Sequence, residues 1–344
     1  MKYENVDSEP KEQMMHTVKF NRVGNLMVGL LLLGGFLALA GCCMHAPKPK
    51  LVADLPSEPG HGAQLFATDD EAAKALITAV KARDKESLRT ILGPATKELV
   101  SGDAIEDAND FDTFVKHANE QTRLEKKTDS LAILHIGVQD WPFAIPLVKV
   151  SGPDGKWFFD TEAGKQEILA RRIGANELEA INVCRGYVLA QREYASQDRD
   201  GSTVLQYAQR FVSKPGQKDG LYWETAAGEQ PSPLGPLVAQ ATEEGYFPKK
   251  APGPQPFHGY YFHILKKQGS DAPGGKYDYV INGHMIAGFA LVAWPAQYGN
   301  SGVMTLIVNH QGKVYQKDLG PKTAETAKAL SRYNPDGMWA VVKE

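Results

Sequence analysis

The chain has 344 residues and a formal net charge of -3 at pH 7, with 41 acidic and 38 basic side chains. A nearly balanced charge lacks the basic field that nucleic-acid binding uses, so we expect no nucleic-acid partner. The length is sufficient for two domains. The three cysteines, at positions 42, 43 and 184, are too few for a scaffold that disulfide bonds hold together.

The N-terminal segment contains an apolar run at 27–40 that ends in the sequence LAGC at 39–42. The run is shorter than the ~20 residues of a membrane-spanning helix and fits the core of a signal peptide. LAGC resembles the lipobox of bacterial lipoproteins at all four positions. The resemblance implies a signal peptide at 1–41, cleavage before Cys42 and attachment of lipid, palmitate included, to Cys42. The alternative is an amphiphilic anchor that is not cut.

The residues before the apolar run set the charge of the leader. Lys19 and Arg22 supply the positive flank that is expected on the cytoplasmic side of the membrane. Residues 1–13 contain four carboxylates that dilute this charge. Translation from Met14 or Met15 would give a short basic leader, and both starts stay open beside Met1.

The residue after the lipidated cysteine indicates a destination. In Gram-negative lipoproteins an Asp at that position marks retention at the inner membrane, and this chain has Cys43 there. We therefore expect an exported protein on the outer membrane that faces the periplasm, with the membrane as its partner through the lipid on Cys42. In a host with one membrane the same anchor faces outward.

The first folded region is predicted to begin near residue 64. Residues 42–63 contain four prolines between 44 and 63 and read as a semi-extended tether. Residues 64–197 are predicted to form an N-terminal α+β domain. In it Thr68 and Glu71 form the capping box of a first helix, and Asp84 caps a second helix.

Further elements complete this N-terminal domain. Apolar residues recur on one face of a predicted helix near 110–125, and β-forming residues predict strands at 131–138 and 144–150. A helical pattern follows at 162–197. We expect this long helix to break at Gly174, because glycine is a poor helix former.

The second half of the chain is predicted to be a separate sheet domain. Residues 198–258 are rich in glycine and proline and read as a long ordered connection, and residues 259–344 form a C-terminal, mostly antiparallel β domain with a terminal helix after Pro321. Its strands are predicted at 259–267, 277–282, 287–294, 302–309 and 313–319. The predicted fold class is α+β, with N-terminal helices on a small antiparallel sheet preceding the connection.

Five separated sequence motifs identify a family resemblance. They are WPFAIPLVK at 141–149, RRIGANE at 171–177, DGLYW at 219–223, GFALVAWPAQYGNSGVMTLIVN at 288–309 and VYQKDLG at 314–320. Together they resemble the bacterial domain-of-unknown-function family 2950 (DUF 2950), from about residue 64 to the end. The resemblance implies an exported envelope protein that is often lipidated. It carries no catalytic residue over to this chain.

One short segment suggests serine chemistry and is better explained as a turn. GNSG at 299–302 is similar to the serine segment of trypsin-like proteases, which need a further glycine where this chain has Val303. Val303 also replaces the last glycine of the G-x-S-x-G nucleophile elbow, so that motif is absent here. Asn and Gly favour turns. We therefore interpret Ser301 as a turn residue, whose change to alanine would alter stability by only about 0.5 kcal/mol.

Other reactive or acidic residues also favour structural roles. Cys184 shares a helix face with apolar residues, so a buried, unreactive thiol is expected. Asp198 and Asp200 could begin a calcium loop, but Gln209 stands where the closing glutamate belongs. The acidic patch at 102–112 is interpreted as helix capping and solvated surface. We predict no metal and no cofactor.

A set of aromatic and polar residues close to predicted turns is the remaining candidate ligand site. Its members are Trp141, Asp219, Tyr222, Trp223, His284, Trp294 and Tyr298. Aromatic residues at loop edges can form the floor of a cleft for a glycan, a peptide or a lipid head group. The same residues can instead anchor a long connection onto two domains, since buried aromatics dominate packing energy.

Three functions fit these patterns. The first is a membrane-tethered, non-enzymatic envelope module that binds a partner or ligand or is structural. The second is a hydrolase that acts on envelope polymers, which would need Asp219, His284 and a hydroxyl within hydrogen-bond reach. The third is a pilin-like assembly or secretion component, which a long helix packed along one sheet would favour.

The lipobox resemblance is tested by metabolic labelling in the native host. A fatty-acid analogue is expected to label the wild-type protein and not the Cys42→Ala variant, because the thiol carries the acyl-glyceryl group. Cys43→Ala is the matched control and should keep the label. Equal labelling of wild type and Cys42→Ala would indicate an uncut anchor.

Overall fold

The computed structural model describes residues 62–150, 155–226, 228–246 and 255–343. The predicted signal peptide, the lipidation site Cys42 and the tether up to residue 61 lie outside these ranges. None of the helices within them combines the length and the apolar character needed to cross a membrane. The elements below belong to one compact unit, His45–Glu344. Within it the domain boundaries at 197 and 258 stay a prediction.

Two capped helices begin the fold, as the sequence predicts. Helix α1 (Asp69–Ala82) starts at Thr68, whose hydroxyl accepts the backbone N–H of Glu71 at 3.1 Å. Helix α2 (Lys85–Leu92) starts at Asp84, whose carboxylate accepts two backbone N–H groups of the first turn. Each cap satisfies amides that a helix start leaves unpaired.

A longer helix and a five-stranded antiparallel sheet follow. Helix α3 (Ala104–Glu120) begins earlier than the sequence predicts, because Asp103 caps it. The strands run in the order β1-β2-β4-β5, with β3 paired to β2. Their bounds are β1 (Thr122–Thr128), β2 (Leu131–Ile136), β3 (Trp141–Pro142), β4 (Leu147–Lys149) and β5 (Trp157–Phe159).

Strand β1 is the longest of the strands that sequence patterning missed. Its sequence TRLEKKT is mostly charged and exposed, so it shows no apolar alternation. Among the described strands it pairs only with β2, and it therefore forms an edge of the sheet. Charged residues on an edge strand disfavour pairing with other chains, which explains the composition.

Helix α4 (Thr161–Tyr194) is continuous for 34 residues. The predicted break at Gly174 is wrong. Gly174 is exposed, and a side chain built there would meet nothing within 4 Å, so the glycine serves no close approach. A glycine inside a helix costs about 1 kcal/mol, which packing of the flanking turns offsets.

Helix α4 packs against the two larger hydrophobic cores. Near its start Ile168 contacts the first core, which α1, α2, α3 and the first sheet form. In its second half Ile181, Cys184 and Val188 belong to the core of the second sheet. The helix spans roughly 50 Å at 1.5 Å per residue. It is thus the element common to both halves of the fold.

The connection after α4 is ordered where the structure describes it. Its described residues contain one helix, α5 (Gly235–Glu243). Leu221 and Trp223 are buried in the second core, and the N–H of Tyr207 donates to the carbonyl of Met285 at 2.8 Å. Aromatic and apolar residues of the connection therefore fasten it to the C-terminal sheet.

The second sheet is antiparallel, with the order β14-β13-β12-β11-β6. Its strands are β6 (Tyr260–Leu265), β11 (Ala290–Pro295), β12 (Met304–Asn309), β13 (Tyr315–Asp318) and β14 (Ala340–Val341). Two short pairs flank it, formed by β7 (Lys267–Gln268) with β8 (Tyr277–Asp278) and by β9 (Val280–Ile281) with β10 (His284–Met285). Helix α6 (Thr323–Ala329) precedes β14. The α+β fold class is confirmed.

The structural role predicted for Cys184 agrees with its surroundings. Its side chain is 0% exposed, and it is a free cysteine. Burial raises the pKa of the thiol to about 12, although the charge of Arg185 opposes this shift. A thiol with such a pKa is almost entirely protonated at neutral pH and is a poor nucleophile.

Replacing this thiol tests the packing of the second core. Cys184→Ser is expected to lower the free energy of unfolding by about 1–2 kcal/mol, because a hydroxyl replaces a buried thiol. In a Cys42→Ala/Cys43→Ala background, native Cys184 should react with a bulky maleimide only after denaturant is added. Rapid labelling of the native protein would contradict the buried position.

Candidate functional site

Segments of two of the sequence motifs meet where the first sheet region contacts the second. Arg172 of α4 donates through Nη1 to Oδ1 of Asn300 at 2.8 Å and through Nη2 to the carbonyl of Leu99. The amide of Asn300 in turn donates to the carbonyl of Ser101 at 2.8 Å. Burial lowers the pKa of Arg172, opposed by nearby acidic residues of α3. We call this contact region the junction.

The next turn of α4 holds the segment before β12. Asn176 donates to the carbonyl of Ser301 at 3.0 Å. Oε1 of Glu177 accepts the backbone N–H groups of Val303 at 2.9 Å and Met304 at 3.0 Å. Each polar side chain satisfies backbone groups that would otherwise lose their hydrogen bonds on burial.

Ser301 is a turn residue, but it is buried rather than on the surface. It is 3% exposed, and its hydroxyl donates to the carbonyl of Gly259 at 2.8 Å while accepting the N–H of Gln297 at 3.0 Å. A side chain on Gly259 would approach Cβ of Ser301 to 2.8 Å, so this contact requires glycine. The change of about 0.5 kcal/mol in stability that the sequence predicts for replacing Ser301 with alanine is therefore too small, because it assumes a surface position.

A buried histidine lies between two glutamates at the same junction. Nδ1 of His258 is 2.9 Å from Oε2 of Glu106, and Nε2 is 2.9 Å from Oε2 of Glu244. The imidazole is 5% exposed. The hydroxyl of Tyr246 lies 3.0 Å from both Oε2 of Glu106 and Oδ2 of Asp103. We call these five residues the histidine cluster.

The histidine cluster favours a charged imidazole. Burial alone lowers the pKa of His258, but the hydrogen bonds and charges of Glu106 and Glu244 outweigh it and raise the pKa to about 9. Burial and the neighbouring carboxylates raise the pKa of Tyr246 as well, so its phenol stays protonated. Both imidazole nitrogens face carboxylates. A histidine held in this state has no free lone pair with which to act as a base.

The histidine cluster corrects the interpretation of the acidic patch at 102–112. Asp103 caps α3 as expected, accepting the N–H groups of Ile105 and Glu106 at 3.1 Å. Glu106, however, is buried against His258 instead of solvated. Its partner is 152 residues away in the sequence, so no local pattern could have indicated the pair.

A small open cleft of about 190 Å³ lies beside the junction. Glu98, Lys165, Arg172 and Asn300 line it together with aliphatic side chains, and none of its lining residues is aromatic. Lys165 forms ion pairs with Glu98 at 2.7 Å and with Glu162 at 2.9 Å. The charged groups of this cleft are thus already engaged with one another or with backbone.

Three of the seven residues of the predicted aromatic site lie within five positions of one another in the connection. These are Asp219, Tyr222 and Trp223. Asp219 accepts the N–H of Lys214 at 2.9 Å, and Trp223 is mostly buried with Lys218 5.5 Å from its ring. Such cation–aromatic contacts stabilise the packing of a loop.

The other four residues lie in separate elements. Trp141 is in β3 of the first sheet and donates to Gln139 at 2.9 Å. His284 is in β10, Trp294 is at the end of β11, and the hydroxyl of Tyr298 donates to Asp318 at 3.2 Å. A common cleft for all seven residues stays a prediction.

The acidic turn after α4 uses its carboxylates locally. Asp198 accepts the backbone N–H groups of Gly201 and Thr203, each at 2.9 Å, and Asp200 accepts that of Ser202 at 3.1 Å. These are the hydrogen bonds of Asx-type turns. In the part of the chain that the structure describes, no three His, Cys, Asp or Glu residues are arranged to hold a metal ion.

The pKa of His258 generates a prediction about stability. Its folded value of about 9 lies above the ordinary 6.5, so folding favours the charged form. This contribution is complete below about pH 6.5 and is lost as the pH rises through about 9. With roughly 1.4 kcal/mol per pKa unit, the wild type should lose up to about 3 kcal/mol of unfolding free energy across this window.

Chemical denaturation between pH 6 and pH 9.5 measures this loss. His258→Asn should be less stable at pH 6 and should show a flatter profile, because asparagine cannot be charged and tolerates the positive φ of 45° at this position. His263→Gln, an exposed histidine in β6, is the matched control and should keep the wild-type profile. Parallel profiles of wild type and His258→Asn would contradict the charge assignment.

Comparison with known proteins gives one family match. Residues 63–342 match the family described as "Protein of unknown function (DUF2950)". Neither the curated proteins nor the solved structures provide a match. The matched range includes every element described above, the junction and the histidine cluster. The chain therefore belongs to the DUF2950 family.

Proposed function

We propose that this chain is a non-enzymatic binding or structural module of the cell envelope, exported and tethered through a lipid on Cys42. The observation that carries the proposal is the use of the polar motif residues at the junction. Arg172, Asn176, Glu177 and Ser301 all bond to backbone groups of another segment. Because these side chains are hydrogen-bonded within the protein, they hold the two sheets in place. We expect a ligand to bind elsewhere, on the surface.

The two candidate nucleophiles are also engaged structurally, which supports a non-enzymatic role. The hydroxyl of Ser301 donates to a backbone carbonyl, whereas a serine nucleophile donates its proton to a base. The thiol of Cys184 is buried and protonated at neutral pH, as its raised pKa of about 12 requires. Asp219, which the hydrolase alternative would use, accepts from Lys214 and lies 3.4 Å from Arg210.

The proposed tether rests on the sequence. The apolar run, the LAGC sequence and the proline-rich segment 42–63 together resemble a lipoprotein leader and spacer. A lipid on Cys42 would hold the folded unit close to a membrane surface. An outer-membrane location facing the periplasm is our proposal for a Gram-negative host.

A pilin-like assembly component is a second candidate, and one observation favours it. The second half of α4 packs along the second sheet through Ile181, Cys184 and Val188, as a long helix does in such subunits. A pilin-like subunit would self-associate. Sedimentation of the purified protein over a range of concentrations would reveal filaments under this alternative and a constant small species under the first.

The non-enzymatic role is tested with a fluorophosphonate probe that labels activated serines. We expect no labelling of the wild type. Ser301→Ala should lower the free energy of unfolding by roughly 1–2 kcal/mol, because the carbonyl of Gly259 and the N–H of Gln297 lose a buried partner.

A second serine provides the control for this measurement. Ser196→Ala removes an exposed hydroxyl just after α4, which donates to the carbonyl of Glu193, and should change stability by no more than about 0.5 kcal/mol. Stoichiometric labelling of the wild type that Ser301→Ala abolishes would promote the hydrolase to the leading function.

A further inference from the structure

A second and larger cleft lies between α4 and segments next to strands of the second sheet, and none of the junction residues lines it. Its volume is about 540 Å³, which is within the range of small-molecule sites. It opens between the exposed face of α4, the turn between β12 and β13, and the segment around β14. Its lining includes Arg185, Lys313, Val314, Val341, Val342 and Lys343.

Hydrogen bonds to the backbone hold the segments that form the walls of this cleft. The turn after β12 closes with a hydrogen bond from the N–H of Gly312 to the carbonyl of Asn309 at 2.8 Å, and Gly312 adopts a φ of 83°. The N–H of Val342 donates to the carbonyl of Val314 at 3.0 Å. Nη2 of Arg192 donates to the carbonyl of His310 at 3.1 Å and so fastens the turn to α4.

The cleft concentrates positive charge in a chain that is slightly acidic overall. Arg185, Lys313 and Lys343 are exposed, and none of the three forms an ion pair with a carboxylate within the described residues. No described acidic residue lines the cleft. Elsewhere many lysines and arginines are paired, as Lys165 is with Glu98. Unpaired cations around a concave surface attract anions.

The same cleft offers apolar contact beside the cations. Val314 is buried in its floor, and Val341 is 45% exposed at its rim. Val342 lies between them in exposure. An inorganic anion would leave this apolar surface in contact with water, whereas a ligand with a hydrocarbon part would cover it. The ligand class therefore combines an anionic group with an apolar group.

We propose that this cleft binds an organic phosphate that carries an apolar chain. Three cations suit the charge and the oxygen atoms of a phosphate group, with Arg185 able to form two parallel hydrogen bonds. The valines contact the apolar chain. The proposal rests on the binding role proposed above and not on the lipid at Cys42. A soluble phosphate ester and a phospholipid head group share this chemistry.

The first experiment measures binding by full-length protein in zwitterionic nanodiscs, with calorimetry as the readout. Hexyl phosphate should bind saturably, and inorganic phosphate and hexanol should each bind at least about tenfold more weakly, because each lacks one of the two contacts. Raising the salt from about 0.05 to about 0.5 M should weaken binding of hexyl phosphate by screening. Failure of hexyl phosphate to bind would overturn the proposal.

Variants locate the binding in this cleft. The double variant Arg185→Gln/Lys313→Gln should lower the affinity for hexyl phosphate by about tenfold. This is the loss expected for two charge-assisted contacts at an exposed site. Lys97→Gln/Lys276→Gln removes the same charge from exposed positions outside the cleft and should bind like the wild type. Equal weakening by both double variants would show a general charge effect and refute the site.

A third variant separates the apolar contact from the charge. Val341→Ser should lower the affinity for hexyl phosphate and leave the affinity for inorganic phosphate unchanged. An unchanged affinity for hexyl phosphate would contradict the apolar contact.

The source of the ligand is tested with a short-chain lipid. Tighter binding of dihexanoyl phosphatidic acid than of hexyl phosphate would support a lipid source, and tighter binding of hexyl phosphate would support a soluble ester. Labelling of a serine by the fluorophosphonate probe would refute the non-enzymatic role without altering these affinities. Failure of the non-enzymatic role and failure of the phosphate site are therefore distinguishable.

Discussion

Helix α4 is the constraint on which the rest of the structure depends. Its first half packs Ile168 against one core and its second half buries Cys184 and Val188 in the other, so one continuous helix fixes the position of each sheet. Because a helix is stiff over this length, the loops at the junction meet at a defined distance. Arg172, one turn before Asn176, can then donate to the carbonyl of Leu99 on one side and to the side chain of Asn300 on the other.

The histidine cluster adds a second constraint of a different kind. Burying a charge costs free energy unless a partner and hydrogen bonds compensate for it, and here two glutamates compensate for one imidazolium. Removing one member of such a cluster would leave a buried charge unpaired. The cluster thus joins α3, the end of α5 and the turn before β6 in one arrangement, and alternative packings of these segments would lose it.

Much of the fold could be predicted because its signals are local. The caps at Thr68 and Asp84 are read within four residues, and the strands of the second sheet show the apolar pattern of buried β-structure. The break expected at Gly174 did not occur, because packing of both halves of α4 offsets a single poor helix former. Strand β1 was missed since an exposed edge strand has no apolar alternation to detect.

The site was less predictable than the fold for a physical reason. Glu106, Glu244 and His258 come together only through tertiary structure, and each looks like an ordinary surface residue in its own segment. The RRIGANE motif was identified as part of a family pattern, but nothing in its sequence specifies the partners of Asn176 and Glu177. The basic cleft likewise assembles from α4 and two segments more than a hundred residues later.

The placement of α4 also governs the order in which a chain emerging from a ribosome or a translocation channel can fold. The apolar core of α1 to α3 and the first sheet uses no residue beyond Ile168, so it can pack as soon as α4 begins, whereas Glu106 meets His258 only later. The apolar face around Cys184 and Val188, by contrast, has no strand to cover it until residues 260–309 have emerged. During that interval the half-finished molecule exposes a hydrophobic helix face, which makes it a substrate for chaperones and a point of vulnerability to aggregation.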